Sequence, residues 1–184
     1  MRLLILFVFI FLVFGCKNRE QSKKHNPFLI TKHQVGFIND STQVKDLKII
    51  FAKDSIISLK EDDSFIGGIN PIRLYTKTGT PLLHVFPTDA HDSTATINYI
   101  NIQNSIYETD QKISTNSYYV DIKSTYNISE IKNRMNYIEV YIDSLKSIFA
   151  FRKLGFLRGF DFGTKINQNQ IPDSTSIDYM IKYF

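Results

Sequence analysis

Ile38-Asn-Asp-Ser-Thr42-Gln-Val-Lys-Asp46-Leu47-Lys48-Ile-Ile-Phe51-Ala-Lys-Asp-Ser-Ile56 lies without a gap over Ile113-Ser-Thr-Asn-Ser117-Tyr-Tyr-Val-Asp121-Ile122-Lys123-Ser-Thr-Tyr126-Asn-Ile-Ser-Glu-Ile131, at a constant offset of 75 residues. Asp, Lys and the flanking isoleucines coincide, and Thr42 meets Ser117, Leu47 meets Ile122 and Phe51 meets Tyr126. A second block repeats in the same order: Ile69 to Tyr75 and Leu82 to Val85 match Met135 to Tyr141 and Ile148 to Phe151 at an offset of 66. The first copy is therefore nine residues longer between its blocks, the difference between 75 and 66. A unit of this size exceeds the roughly 20–50 residues of solenoid repeats, so two copies imply one pseudo-symmetric domain.

Within each copy the local pattern is readable. Thr42 is placed to cap a short helix whose apolar residues Val44, Leu47, Ile50 and Phe51 recur at spacings of three and four. A strand follows near Ile56-Ile57-Ser58-Leu59, and Ile72 and Leu74 alternate with Arg73 and Tyr75 as in a half-buried strand. Lys77-Thr78-Gly79-Thr80 turns the chain into Pro81 to Phe86, and Asp143-Ser144 holds the equivalent turn of the second copy without glycine. Thr94 to Ile102 and Ile177 to Tyr183 read as closing strands after the turns Asp92-Ser93-Thr94 and Asp173-Ser174-Thr175. The expected fold is α+β: mainly antiparallel sheet built from two degenerate helix-plus-hairpin repeats, near residues 35–102 and 110–184, with the helices on one side.

The chain opens with Arg2, an uninterrupted apolar run from Leu3 to Phe14, then Gly15 and Cys16, the sole cysteine. The run is too short to span a bilayer, which takes about 20 apolar residues. Val13-Phe14-Gly15-Cys16 resembles the lipobox of bacterial lipoproteins, with Val and Phe where that box usually has Leu and a small residue. The resemblance implies removal of residues 1–15 and lipidation of Cys16 by diacylglycerol and palmitate-type acyl chains. Cys16 is then no nucleophile and forms no disulfide. Residues 16–29 are expected to be a lipidated N-terminus and polar tether, ahead of a single globular domain over 30–184. By resemblance to lipoprotein sorting rules, in which an acidic residue after the cysteine retains the protein at the inner membrane, Lys17 implies a location in the cell envelope at the periplasmic face of the outer membrane.

Without residues 1–15 the chain carries 21 basic against 18 acidic side chains, interspersed, with no basic stripe of the kind that tracks nucleic acid. The 15 Phe and 10 Tyr, with no Trp, are expected mostly in the core. Val35-Gly36-Phe37-Ile38, Thr42 to Lys48, Phe51, Asp54-Ser55-Ile56 and Ile171-Pro172 together make residues 30–184 similar to a group of small uncharacterised Bacteroidota lipoproteins. That resemblance implies a coherent fold and no particular reaction.

Chemical motifs are sparse. His84-Val-Phe-Pro-Thr-Asp89-Ala-His91-Asp92 groups metal-ligand types, but matches no zinc spacing, and Ala150 stands opposite His84 in the second copy. Glu61-Asp62-Asp63 lacks the alternating oxygens of a calcium loop and reads as a solvated face. There is no Gly-x-Ser-x-Gly, phosphate loop or dinucleotide fingerprint. Phe156, Arg158 and Phe160, in a glycine-rich aromatic loop, are candidates for partner binding, against a reading in which the loop tucks its rings into the core. The leading expectation is a non-catalytic, lipid-anchored envelope protein that binds another envelope protein or supports its assembly, with no cofactor and no nucleic-acid partner. The alternative is an envelope hydrolase, metal-assisted, centred on His84, Asp89 and His91; a ligand carrier and an inhibitor of an envelope enzyme stay open.

Overall fold

Alternation decides the sheet. In Tyr137-Ile138-Glu139-Val140-Tyr141-Ile142 the even positions are fully buried while the odd ones are half-buried, the two-residue period of a strand with one face on a core. The computed structural model describes residues 26–58, 71–89, 91–153 and 160–184. Four short strands, β1 (Leu29–Ile30), β2 (Gln34–Val35), β3 (Ile38–Asn39) and β8 (Glu108–Thr109), form a small sheet in the order β3-β2-β1-β8. The main sheet comprises β4 (Ser55–Ser58), β5 (Ile72–Tyr75), β6 (Pro81–Pro87), β7 (Ile97–Ile102), β9 (Glu130–Asn133), β10 (Tyr137–Ile142), β11 (Ser147–Arg152) and β12 (Tyr179–Tyr183).

Its eight strands run β4-β5-β6-β7-β12-β11-β10-β9, with every neighbouring pair antiparallel. Each half is a four-stranded meander, and the two meet where β7 pairs with β12, Met180 opposite Ile102 and Lys182 opposite Ile100. The fold is therefore α+β with a mainly antiparallel sheet. One hairpin pairs Ile72 with Val85 and Leu74 with Leu83, and the other pairs Ile138 with Phe151 and Val140 with Phe149, positions 66 apart in sequence. The turns differ in chemistry: Gly79 takes φ +87 in the first, and Lys146 takes φ +49 in the second, where glycine is ordinarily preferred.

The helices are short. A 3-10 turn (Val44–Asp46) continues into Leu47–Ile50, and the second helix is Tyr119–Thr125. The same hydrogen bonds recur at both. Asp46 Oδ2 accepts from the Gln43 N–H at 2.9 Å, and Asp121 Oδ2 accepts from the Tyr118 N–H at 2.8 Å. Val44 and Lys45 donate to the carbonyls of Ala95 and Ser93, as Tyr119 and Val120 do to those of Thr175 and Asp173. These acceptors lie 80 residues apart, one residue off the alignment of the two Asp-Ser-Thr turns. Thr42 is not the helix cap. It sits one residue too early, and its hydroxyl accepts from the Asn39 N–H and so closes the turn before the helix.

The inner face of the main sheet, including Leu74, Leu83, Ile100, Ile102, Met180, Phe149 and Val140, forms one buried cluster with Leu47 and Phe51 of the first helix and Tyr119 and Ile122 of the second. Tyr119 meets Phe151 edge to face at 5.6 Å between ring centroids. The small sheet has no counterpart in the sequence reading, since its two-residue strands carry no period. It is held by a close approach at Gly36 (φ +58), where a Cβ would lie 2.2 Å from the Pro27 carbonyl oxygen.

A cation sits inside this core. Lys182 is fully buried, its ammonium donates to the Tyr183 carbonyl, and it lies 4.8 Å from the centroid of the Phe184 ring. Burial, with Lys146 nearby, pushes its pKa from 10.5 down to about 8, against the attraction of Asp40. The folded state thus releases this proton near pH 8, whereas the unfolded chain holds it to 10.5. The charge is a full liability below pH 8 and a vanishing one by 10.5, so stability rises with pH across that window.

Two outcomes are expected in urea denaturation of the full chain. Phe149→Ala, which empties a fully buried site between Val140 and Met180, lowers stability by about 3–5 kcal/mol. Lys182→Met raises it by about 3 kcal/mol at pH 7, with the gain shrinking as pH rises from 8 towards 10.5; a pH-independent effect would contradict the buried-charge account.

Candidate functional site

The inner face of the sheet is consumed by the core, so the chemistry offered to other molecules is on the outer face. Because directly opposed residues share a face, the registers place Arg73, His84, Asn101, Ile181, Ile148 and Tyr141 in one row across β5, β6, β7, β12, β11 and β10. Parallel to it, Phe86, Tyr99 and Tyr183 form a second row over β6, β7 and β12. Phe86 stacks on Tyr99 at 4.3 Å with 13° between planes, and Tyr99 lies 5.5 Å from Tyr183. Further along, Tyr137 and Tyr179 meet at 5.1 Å. These rings are half-buried against one another, and Tyr183 is exposed.

Charges interleave with the rings on β9, β10 and β11. Glu139 accepts from Arg134 Nε at 2.9 Å and from the Tyr141 hydroxyl at 2.8 Å. Arg152 forms a two-pronged bond to Asp178 at 3.2 and 3.1 Å, with its guanidinium carbon 5.4 Å from the Tyr137 ring centroid. Lys132 pairs with Glu130 at 3.0 Å and stands 4.5 Å from the Tyr141 ring centroid. Burial raises the pKa of the phenols of Tyr99, Tyr141 and Tyr183, and pushes Tyr179 up to about 12 with help from Glu139. The phenols of Tyr99, Tyr141, Tyr179 and Tyr183 are therefore protonated at neutral pH. His84 is shifted the other way, towards the neutral imidazole, first by burial and then by the Arg73 charge.

The histidine and carboxylate candidates are not gathered. His84 is three residues before the end of β6, about 10 Å of strand, and its side chain belongs to the outer-face row. Asp89, His91 and Asp92 lie beyond that strand, all exposed. Asp89 Oδ1 accepts from the His91 N–H at 2.8 Å, and Asp92 Oδ1 accepts from both the N–H and the hydroxyl of Thr94 at 2.7 Å. The Thr94 bonds hold the Asp92 carboxyl below the usual carboxylate range. These side chains thus build turns, as Asp and Asn do in loops. Among the described residues no group of three or more His, Cys, Asp or Glu is arranged to hold a metal ion.

Phe160 is packed against the core, and its carbonyl accepts from the Lys153 ammonium at 3.1 Å. Phe156 and Arg158 lie outside the described residues, as do Cys16 and the acidic run Glu61 to Asp63. No helix among the described residues is long and apolar enough to cross a membrane. An apolar cleft of about 200 Å³, lined in part by Phe28, Phe37, Phe51, Leu82 and Tyr107, lies beside the small sheet. It is smaller than the roughly 300–1,000 Å³ of ordinary small-molecule sites.

The tyrosines of the outer face escaped the sequence reading, which assigned most aromatic residues to the core. That holds for Tyr107 and Tyr119 and fails for Tyr99, Tyr137, Tyr141, Tyr179 and Tyr183. The signal was present in Tyr137 to Ile142, where tyrosine occupies the solvent phase of the alternation.

No family model matches this chain, and no curated protein matches it. Among solved structures, the uncharacterised protein yfeY from Escherichia coli is similar in fold, with a TM-score of 0.58 at 14% identity over 84% of this chain and 99% of that one. At that identity the likeness concerns the fold alone.

Proposed function

We propose that this protein is a non-catalytic, lipid-anchored component of the cell envelope that binds another envelope protein through the outer face of its large sheet. The observation that carries the reading is the row Phe86, Tyr99 and Tyr183, with Tyr137, Tyr141 and Tyr179 beside it, on the face of the sheet opposite the core. Tyr and Arg supply large, rigid contact area with polar tips and dominate protein-binding hot spots. The pairing of each cation on β9–β11 with a carboxylate keeps this half of the face close to neutral, which lowers the cost of covering it. The anchor itself rests on the lipobox resemblance at Cys16 and on the polar residues 17–26 that follow.

We infer, in addition, that residues 35–102 and 110–184 are two degenerate copies of a helix-plus-meander unit. The recurrence of the Asp46 and Asp121 caps, of the paired helix-to-loop hydrogen bonds and of the matched hairpin registers supports this reading.

A photo-reactive phenylalanine analogue replacing Tyr183 is expected to give one specific protein adduct in intact cells. The same analogue at the exposed Lys53, on another surface, is expected to give none. Cys16→Ala is expected to move the protein to the soluble fraction and to abolish the adduct. Absence of any adduct from positions 99, 137 and 183 would overturn the binding role, and a membrane-bound Cys16→Ala protein would overturn the anchor.

A further inference from the structure

The outer face carries four Arg or Lys side chains among its described residues, and three are answered within the molecule: Lys132 by Glu130, Arg134 by Glu139 and Arg152 by Asp178. Arg73 is the exception. It has no carboxylate partner among the described residues, and its directly opposed neighbours are His84 on β6 and Ile57 on β4. The row continues to Asn101, whose side-chain amide oxygen accepts from Gln103 Nε2 at 2.8 Å and whose amide nitrogen has no hydrogen-bond partner among the described residues. Arg73 and Asn101 lie two strands apart, about 10 Å. The stacked rings of Phe86 and Tyr99, with Tyr183, border this polar row on the same face.

A surface of this composition has a definite complement. A partner that covers the face and brings no negative charge to Arg73 leaves a desolvated, unpaired guanidinium, which is strongly unfavourable. A carboxylate set on Arg73 satisfies it through two parallel N–H···O bonds, because the planar fork of the guanidinium matches carboxylate geometry. The adjacent rings then require an apolar or aromatic side chain next to that acid. We propose that the β5–β6–β7 quadrant of the outer face is a docking site for an acidic segment of a partner protein, an Asp or Glu on Arg73 and Asn101 beside an aromatic side chain on Phe86, Tyr99 and Tyr183. This rests on the reading of the outer face as a protein-binding surface and adds the chemistry of the partner.

The test uses the full-length protein in detergent micelles and two fluorescein-labelled hexapeptides, one alternating Phe with Glu and the other Phe with Gln, followed by fluorescence anisotropy at physiological ionic strength. The Glu peptide is expected to bind about tenfold or more tightly than the Gln peptide. Arg73→Gln is expected to remove that preference and Arg73→Lys to retain only part of it, since the ammonium keeps the charge and loses the fork. Lys53→Gln, which removes an exposed cation on another surface, is expected to leave the preference within about twofold. Equal binding of the two peptides, no binding of the Glu peptide, or an undiminished preference in Arg73→Gln would each overturn the acidic-segment inference. The adduct formed in cells from position 183 separates this failure from that of the binding role. An adduct without a Glu preference leaves the binding face standing and refutes its acidic complement, whereas a Glu preference without an adduct refutes the envelope partner alone.

Discussion

The pairing of β7 with β12 is the contact that turns two four-stranded meanders into one sheet. Its inward-facing residues are committed to the core: Ile100, Ile102 and Met180 are fully buried, and Lys182 is carried inside with them. The two strands are about 80 residues apart, so the pairing closes a long loop, and that entropy is offset only by burial along the whole seam. Once the seam is made, neither meander has a free edge at the centre of the molecule. Among the described residues the outer strands of the sheet are β4 and β9, four residues each, and short edges are a common protection against pairing with another chain.

The same seam creates the aromatic outer face. Tyr99 belongs to the first meander and Tyr183 to the second, and they share a surface only because their strands are neighbours. Phe86 joins them through β6, and Tyr141 and Tyr137 extend the surface through β10. Stability and surface chemistry are therefore coupled at one place: the residues facing inward along β12 hold the halves together, and those facing outward present phenols. The buried Lys182 is the discord in this arrangement, a cation in an apolar layer whose ammonium has a backbone carbonyl for partner.

Much of the sheet was legible in the sequence. The hairpin registers follow from apolar alternation at Ile72 and Leu74 and at Ile138 and Val140, because a one-residue slip would expose every one of these side chains. The alignment that matches Asp46 with Asp121 is met by the same hydrogen bond at both helix starts. The small sheet was not, since strands of two residues are defined by hydrogen bonds between distant segments and leave no periodic mark. His84, Asp89 and His91 looked close in sequence, but an extended strand moves the chain about 3.3 Å per residue and carries His84 away from the loop.

By itself the sequence determined the α+β class, the order of helix and hairpin in each half, and the alternation that divides inner from outer residues, because these depend on local periodicity and turn chemistry. Only the tertiary structure decided which strands became neighbours across the middle of the sheet. It placed Lys182 inside the core, and it put Arg73, His84, Asn101, Phe86, Tyr99 and Tyr183 on one surface. The physical reason is that strand pairing between β7 and β12 is a choice among distant, chemically similar partners, and the burial of both meanders under their helices makes that choice.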